Sequence, residues 1–121
     1  MRFVCLIYFD PKVVFGGSAE AKAVLDAVRP HDEALRSQAQ LVASEALTLP
    51  AEAVTVRVRG GKSFATDGPF VETKEVLAGF VLVEAADRSE AVRIAGEMPF
   101  AKLGAVEVRP VVDFSKPRPR L

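Results

Sequence analysis

The run Phe3–Tyr8 is apolar on both alternating faces, with Cys5 and Ile7 on one side and Val4, Leu6 and Tyr8 on the other. A strand of that kind is expected to be covered on both sides. Gly16–Gly17–Ser18 then breaks the chain, and Ser18 is placed to cap a helix. From there to about residue 39, the positions Ala21, Leu25, Val28, Asp32, Leu35 and Ala39 fall on one stripe at helical spacing. Pro30 lies inside that stretch, so either the helix kinks there or a second helix begins there. Leu41–Leu47 reads as a strand that Pro50 ends. Val54, Val56 and Val58 alternate with Thr55, Arg57 and Arg59, which predicts a half-buried strand with a polar outer face. Gly60–Gly61 supplies a tight turn and Lys62–Thr66 the returning strand. Val76–Val83 is again apolar on both faces. Asp87 and Glu90 have the spacing of a capping box, opening a helix that runs to about Met98 before Pro99 closes it. Val106, Val108 and Val112 mark a last strand.

With the small hairpin set aside, the order is βαβ followed by βαβ. This predicts an α+β, ferredoxin-like βαββαβ domain with an inserted β-hairpin, its helices on one face of an antiparallel sheet. Strands apolar on both faces need cover on the side away from the helices. With only two helices in the chain, a second copy of the sheet is the simplest cover, so a homodimer of the dimeric α/β-barrel type is expected. Residues 1–113 make the domain and 114–121 a Pro-Arg tail with nothing to bury.

Composition narrows the class of partner. Half of the 121 residues are hydrophobic and about a quarter charged, which is globular usage. Sixteen basic side chains balance sixteen acidic ones, so bulk charge favours neither nucleic acid nor a membrane surface. Cys5, the one cysteine, sits in an apolar run, and the cytoplasm is the expected compartment. No apolar stretch reaches the ~18 residues of a spanning helix, and Phe3–Phe9, followed by Asp10–Pro11 without a small-residue cleavage site, is too short for the core of most signal peptides.

Several chemistries drop out on residue types. One histidine, His31, and one cysteine make no His/Cys metal constellation, and no metal or other cofactor is indicated. Gly60–Gly61–Lys62–Ser63 resembles the end of a phosphate loop, yet Val56 stands where the motif needs glycine and a strand follows instead of a helix. What remains is a set of carboxylates. Asp32 on the apolar stripe is either a desolvated or paired site carboxylate, or a first-turn acid of a helix starting at Pro30. Glu45 on the second strand is either a pocket carboxylate or one end of an ion pair.

The segment Asp67-Gly68-Pro69-Phe70-Val71-Glu72-Thr73-Lys74-Glu75 is turn chemistry followed by a charge cluster, with Phe70 read as a plug at the core edge. Either the charges are an ordinary solvated cluster, or a rigid turn holds Asp67, Glu72 and Lys74 at a pocket mouth. This segment, with the following VLAGFVLVEA and GAVEVRPV and the earlier HDEALRSQAQLVASEAL, closely resembles the DGPF-motif branch of the YCII-related family. The resemblance covers most of residues 1–113. It implies a ferredoxin-like, dimeric domain, a pocket that in YCII is thought to use a His–Asp pair, and a regulatory link to extracytoplasmic-function sigma factors. Where many relatives show Gly-His before the second strand, this chain has Ala39-Gln40. His31 also stands off the spacing of the YCII helix histidine.

Two functions of different class follow. One is a cofactor-free enzyme doing acid–base chemistry on a small carbonyl or carboxylate compound. Asp32 and His31 are its candidate catalytic residues, and Asp67, Glu72, Lys74, Glu45 and Tyr8 its candidate substrate contacts. The other is a non-catalytic ligand-sensing or partner-binding dimer, associated with a sigma factor. Convergence of Asp32, His31 and Tyr8 on a cavity separates the first from the second.

Overall fold

The computed structural model describes residues 1–117; the end of the proposed Pro-Arg tail, residues 118–121, lies outside them. Strand β1 (Arg2–Phe9) leads into a four-residue helix α1 (Pro11–Val14) and then the long helix α2 (Ala19–Ser37). Strands β2 (Leu41–Ala46), β3 (Val54–Arg59), β4 (Lys62–Asp67) and β5 (Val76–Glu84) follow, then helix α3 (Arg88–Gly96) and strand β6 (Gly104–Pro110). Two 3-10 turns, Pro50–Glu52 and Pro99–Lys102, join β2 to β3 and α3 to β6. Four strands pair antiparallel in the order β2-β5-β1-β6, while β3 and β4 pair only with each other. That strand order, with both long helices as crossovers, is the ferredoxin-like topology. No helix among the described residues is long and apolar enough to cross a membrane.

Local sequence sets the helix ends. Ser18 Oγ accepts from the Ala21 amide at 3.0 Å, capping α2, and Asp87 accepts from the Glu90 amide at 2.9 Å, capping α3. The second arm of the capping box is altered, because Glu90 Oε1 accepts from Ala86 one residue before the cap. It also accepts from Gln40 Nε2 at 3.2 Å, tying the start of β2 to α3. Helix α1 had no periodic signal in four residues. Asp10 caps it through the Lys12 amide, and Val14 is fully buried beneath it.

Helix α2 runs unbroken through Pro30. Proline there removes one helical hydrogen bond, a loss of about 3 kcal/mol in an ordinary helix interior. Burial of the inner face offsets it. Ala21, Val24 and Leu35 are buried and Val28 half-buried, so the stripe is shifted from the expected one: Val24 replaces Leu25, which is 38% exposed. Ala39 leaves the stripe altogether. It has φ +57°, with its amide bonded to Arg36 O and the Gln40 amide to Leu35 O, a Schellman closure built without glycine.

Directly paired residues share a sheet face, so the register sorts the strands. Phe3, Cys5 and Ile7 of β1 face the helices together with Val83, Val81 and Gly79 of β5. With Leu35, Ala91, Ile94 and Met98 these residues build the main core, and Phe3, Cys5 and Val83 are fully buried. Each large side chain so buried contributes roughly 1.5–3 kcal/mol. The other face carries Val4, Leu6 and Tyr8 against Leu82, Phe80 and Leu77, and these are only partly covered.

Candidate active site

A cavity of about 250 Å³ lies between α2 and the helix-facing side of the sheet. Its walls come from α2 (Val28, His31 and Asp32), β2 (Ser44 to Ala46), β1 (Ile7 and Phe9), β5 (Ala78 to Val81) and the segment Met98, Pro99 and Phe100 that follows α3. Phe9 and Phe100 meet at one end with ring centroids 5.0 Å apart. The lining is mostly apolar; its polar residues are His31, Asp32, Ser44 and Glu45, the last at a strand position paired with Phe80 on the other sheet face. Asp32 is half-buried, and its Oδ2 accepts from Ser44 Oγ at 3.2 Å. Among the described residues no ion pair and no other hydrogen bond reaches that carboxylate. Asp32 and Val28 also line an open groove on the solvent side of α2, with Arg29, Pro30 and Arg36, so Asp32 stands at the mouth of the cavity.

The arrangement follows from α2 staying helical. If a helix began at Pro30, Asp32 would be a first-turn acid aimed at solvent. Continuation from Ala19 instead turns residues 28, 31, 32 and 35 toward the sheet. His31 and Asp32 are consecutive, and both half-buried, because they straddle the boundary of the inner face.

The other residues singled out in the sequence lie elsewhere. Tyr8 is on the opposite sheet face, between Leu77 and Ala105, so the expected convergence of Asp32, His31 and Tyr8 holds for the first two only. Glu45 pairs with Phe80 on that same outer face. A register shift between Leu41 and Ala43 breaks the alternation of β2, so Glu45 shares a face with Ala43 and not with Leu41. Glu45 borders the cavity, but its register puts its exposed side chain on the outer face, while Ser44 and Ala46 pair with Val81 and Gly79 on the helix-facing side. Among the described residues Glu45 makes no ion pair.

Asp67 closes the hairpin opposite Val54 and is exposed. Gly68, at φ +105°, turns the chain, its amide bonded to Ala53 O at 2.7 Å and its carbonyl to Thr55 Oγ1 at 2.9 Å. Glu72 lines a separate cleft with Pro50, Pro69 and Val76, and Lys74 is exposed in the same loop. Within one chain none of the three reaches the cavity. Phe70 does not plug the core either: it is 78% exposed, with the Arg57 guanidinium 5.6 Å from its ring centre. The turn held at Gly68 carries it away from the sheet.

Ser44 had no signal in the sequence, since a serine in a half-apolar strand is ordinary and only the bulge turns it inward. Met98, Pro99 and Phe100 read as a helix end and serve as a cavity wall. Gln40 donates to Glu90 and does not line the cavity. Among the described residues, no three His, Cys, Asp or Glu side chains gather as a metal site. Cys5 is fully buried, and desolvation pushes its thiol up from the usual 9.0 to about 11, which suits an inert core residue.

Comparison with known proteins adds to this geometry. An uncharacterised protein of Rhizobium meliloti (strain 1021) is 41% identical over 64 residues, which is 51% of this chain and 52% of that protein. The chain thus spans about half the length of the curated relative it matches. The structure of 5-chloro-2-hydroxyhydroquinone dehydrochlorinase (TftG) from Burkholderia phenoliruptrix AC1100, in complex with 2,5-dihydroxybenzoquinone, superposes with a TM-score of 0.52. That alignment covers 95% of this chain and 97% of TftG at 17% identity, a likeness of fold. The YCII-related domain matches residues 1–115, and the chain belongs to the YCII-related domain family.

Proposed function

We propose that this chain is a cofactor-free enzyme that moves protons on a small carbonyl compound bound between α2 and the sheet. The observation that carries this reading is the Asp32 carboxylate, held by Ser44 on the wall of a mostly apolar cavity. A carboxylate so placed accepts a proton from a bound carbon or hydroxyl acid, and His31 beside it is the second proton carrier. Ser44 occupies Oδ2 and leaves Oδ1 for the ligand. The fold shared with TftG, whose structure holds a small quinone, supports a ligand of modest size. In this reading the segment Asp67–Glu75 marks the DGPF-motif branch of the family. The enzyme works as a homodimer packed through the face bearing Val4, Leu6, Phe80 and Leu82.

The test is deuterium incorporation from D2O into small enolisable ketones such as cyclohexanone, followed by NMR. The wild type is expected to accelerate exchange, and Asp32→Asn to lower the rate by ~10²–10⁴, the range of a positioned acid or base, with its circular dichroism unchanged. Ligand binding without exchange would overturn the enzyme reading in favour of a ligand-sensing dimer. Light scattering that gives the mass of a single 13.0 kDa chain would remove the dimer.

A further inference from the structure

Three features of the cavity bear on what it admits. No lysine or arginine lines it; Arg29 and Arg36 belong to the open groove on the other side of α2. Of its two bordering carboxylates, Asp32 lies on the helix wall at the mouth, and Glu45 sits at a strand position whose register faces the other side of the sheet. Its volume of about 250 Å³ is small. An apolar cavity of roughly 150 Å³ suffices for benzene, and drug-sized ligands occupy ~300–1,000 Å³.

From these we infer that the site selects an uncharged, ring-sized compound bearing a hydroxyl or enol group, and rejects carboxylates and phosphates. This rests on the proposed function and narrows its ligand. An anion entering would lose its hydration beside the like charge of Asp32, with the His31 imidazole as the only basic side chain on the lining. An ammonium ion would find one carboxylate with one oxygen already taken by Ser44, and apolar walls otherwise, too few acceptors for its three donors. A neutral hydroxyl needs only one acceptor. Asp32 Oδ1 supplies it, while Ile7, Phe9, Val28 and Phe100 cover the ring.

The experiment titrates the intact wild-type protein with resorcinol, benzoate and benzylamine, three ring-sized probes that differ in charge. Binding is followed by NMR shifts of Ser44 and Ala46. Resorcinol is expected to bind at least tenfold tighter than either ion. Asp32→Asn should weaken resorcinol and strengthen benzoate, bringing the two within threefold. Benzoate or benzylamine binding as tightly as resorcinol would overturn the inference, and so would failure of all three to shift those resonances. An unchanged preference in Asp32→Asn would overturn the role given to the carboxylate. Proton exchange can fail while this selection holds, which would sink the enzyme and not the ligand class. Selection can fail while Asp32-dependent exchange persists, which would do the reverse.

Discussion

The wall of the cavity and the hairpin with its following turn each carry polar groups on a defined backbone, and they differ in what surrounds them. At the cavity, Asp32 and Ser44 lie on α2 and β2, two elements fixed by a shared core. Each polar group there has few neighbours able to satisfy it, so its environment is specific. In the hairpin every residue of β4 is exposed, and Val54, Val56 and Val58 are 57–61% exposed. Two strands pairing only with each other are marginal in water. The segment is tied back at its base through Ala53, Thr55 and Gly68. Its charges therefore meet mostly water, where they interact weakly. Burial, more than the density of charged residues, distinguishes a place where chemistry can be tuned from one that is merely polar.

Glycine substitutions probe this contrast most severely. Gly79 lies where β5 passes β2 beside the cavity, and a Cβ there would fall 2.7 Å from Glu45 O and 3.3 Å from Ala46 Cα. Gly79→Val should cost about 3 kcal/mol, since the backbone of β2 at Glu45 and Ala46 must move, and chemical denaturation would show it. A loss below 1 kcal/mol would mean that the sheet beside the cavity is as pliant as the hairpin.

The next largest effect concerns Cys5, in the same core. Its thiol is pushed up from 9.0 to about 11 by burial. The folded state therefore holds this proton more tightly than the unfolded state does. The associated stability is fully present below pH 9 and is lost as the pH rises from 9 toward 11. The loss is on the order of 2–3 kcal/mol. Cys5→Ala, less stable at neutral pH, should lack that part of the alkaline decline. Parallel pH profiles for the two proteins would contradict burial as the cause.

At the turn, Gly68 has open space around its Cα but φ +105°. Gly68→Val should cost about 1 kcal/mol in thermal unfolding, a conformational penalty without a clash. A cost matching that at Gly79 would mean the turn is packed like the core. The smallest effect has the opposite sign. Ala39 closes α2 in the left-handed region, and Ala39→Gly should stabilise by about 0.5–1 kcal/mol, seen as a higher Tm.

The sequence by itself determined the order and type of the main elements, the caps at Ser18 and Asp87, and the ferredoxin-like arrangement. Each of these rests on spacing within a few residues: alternation for β1 and β5, the 3.6-residue stripe for α2, and side chains reaching their own backbone at the helix starts. It also put Asp32 and His31 forward, on a helix whose continuity through Pro30 it left open. Only the tertiary structure decided that continuity, because the offsetting burial of Ala21, Val24 and Leu35 comes from the sheet. The bulge in β2 exchanged the facing of Glu45 for that of Ser44, a one-residue shift set by pairing with β5. Tyr8 and Phe70 were placed in the same way, by a sheet face and by a turn anchored across the hairpin base. Period is a property of neighbouring residues, but phase is set by partners distant in the chain, and the cavity depends on phase.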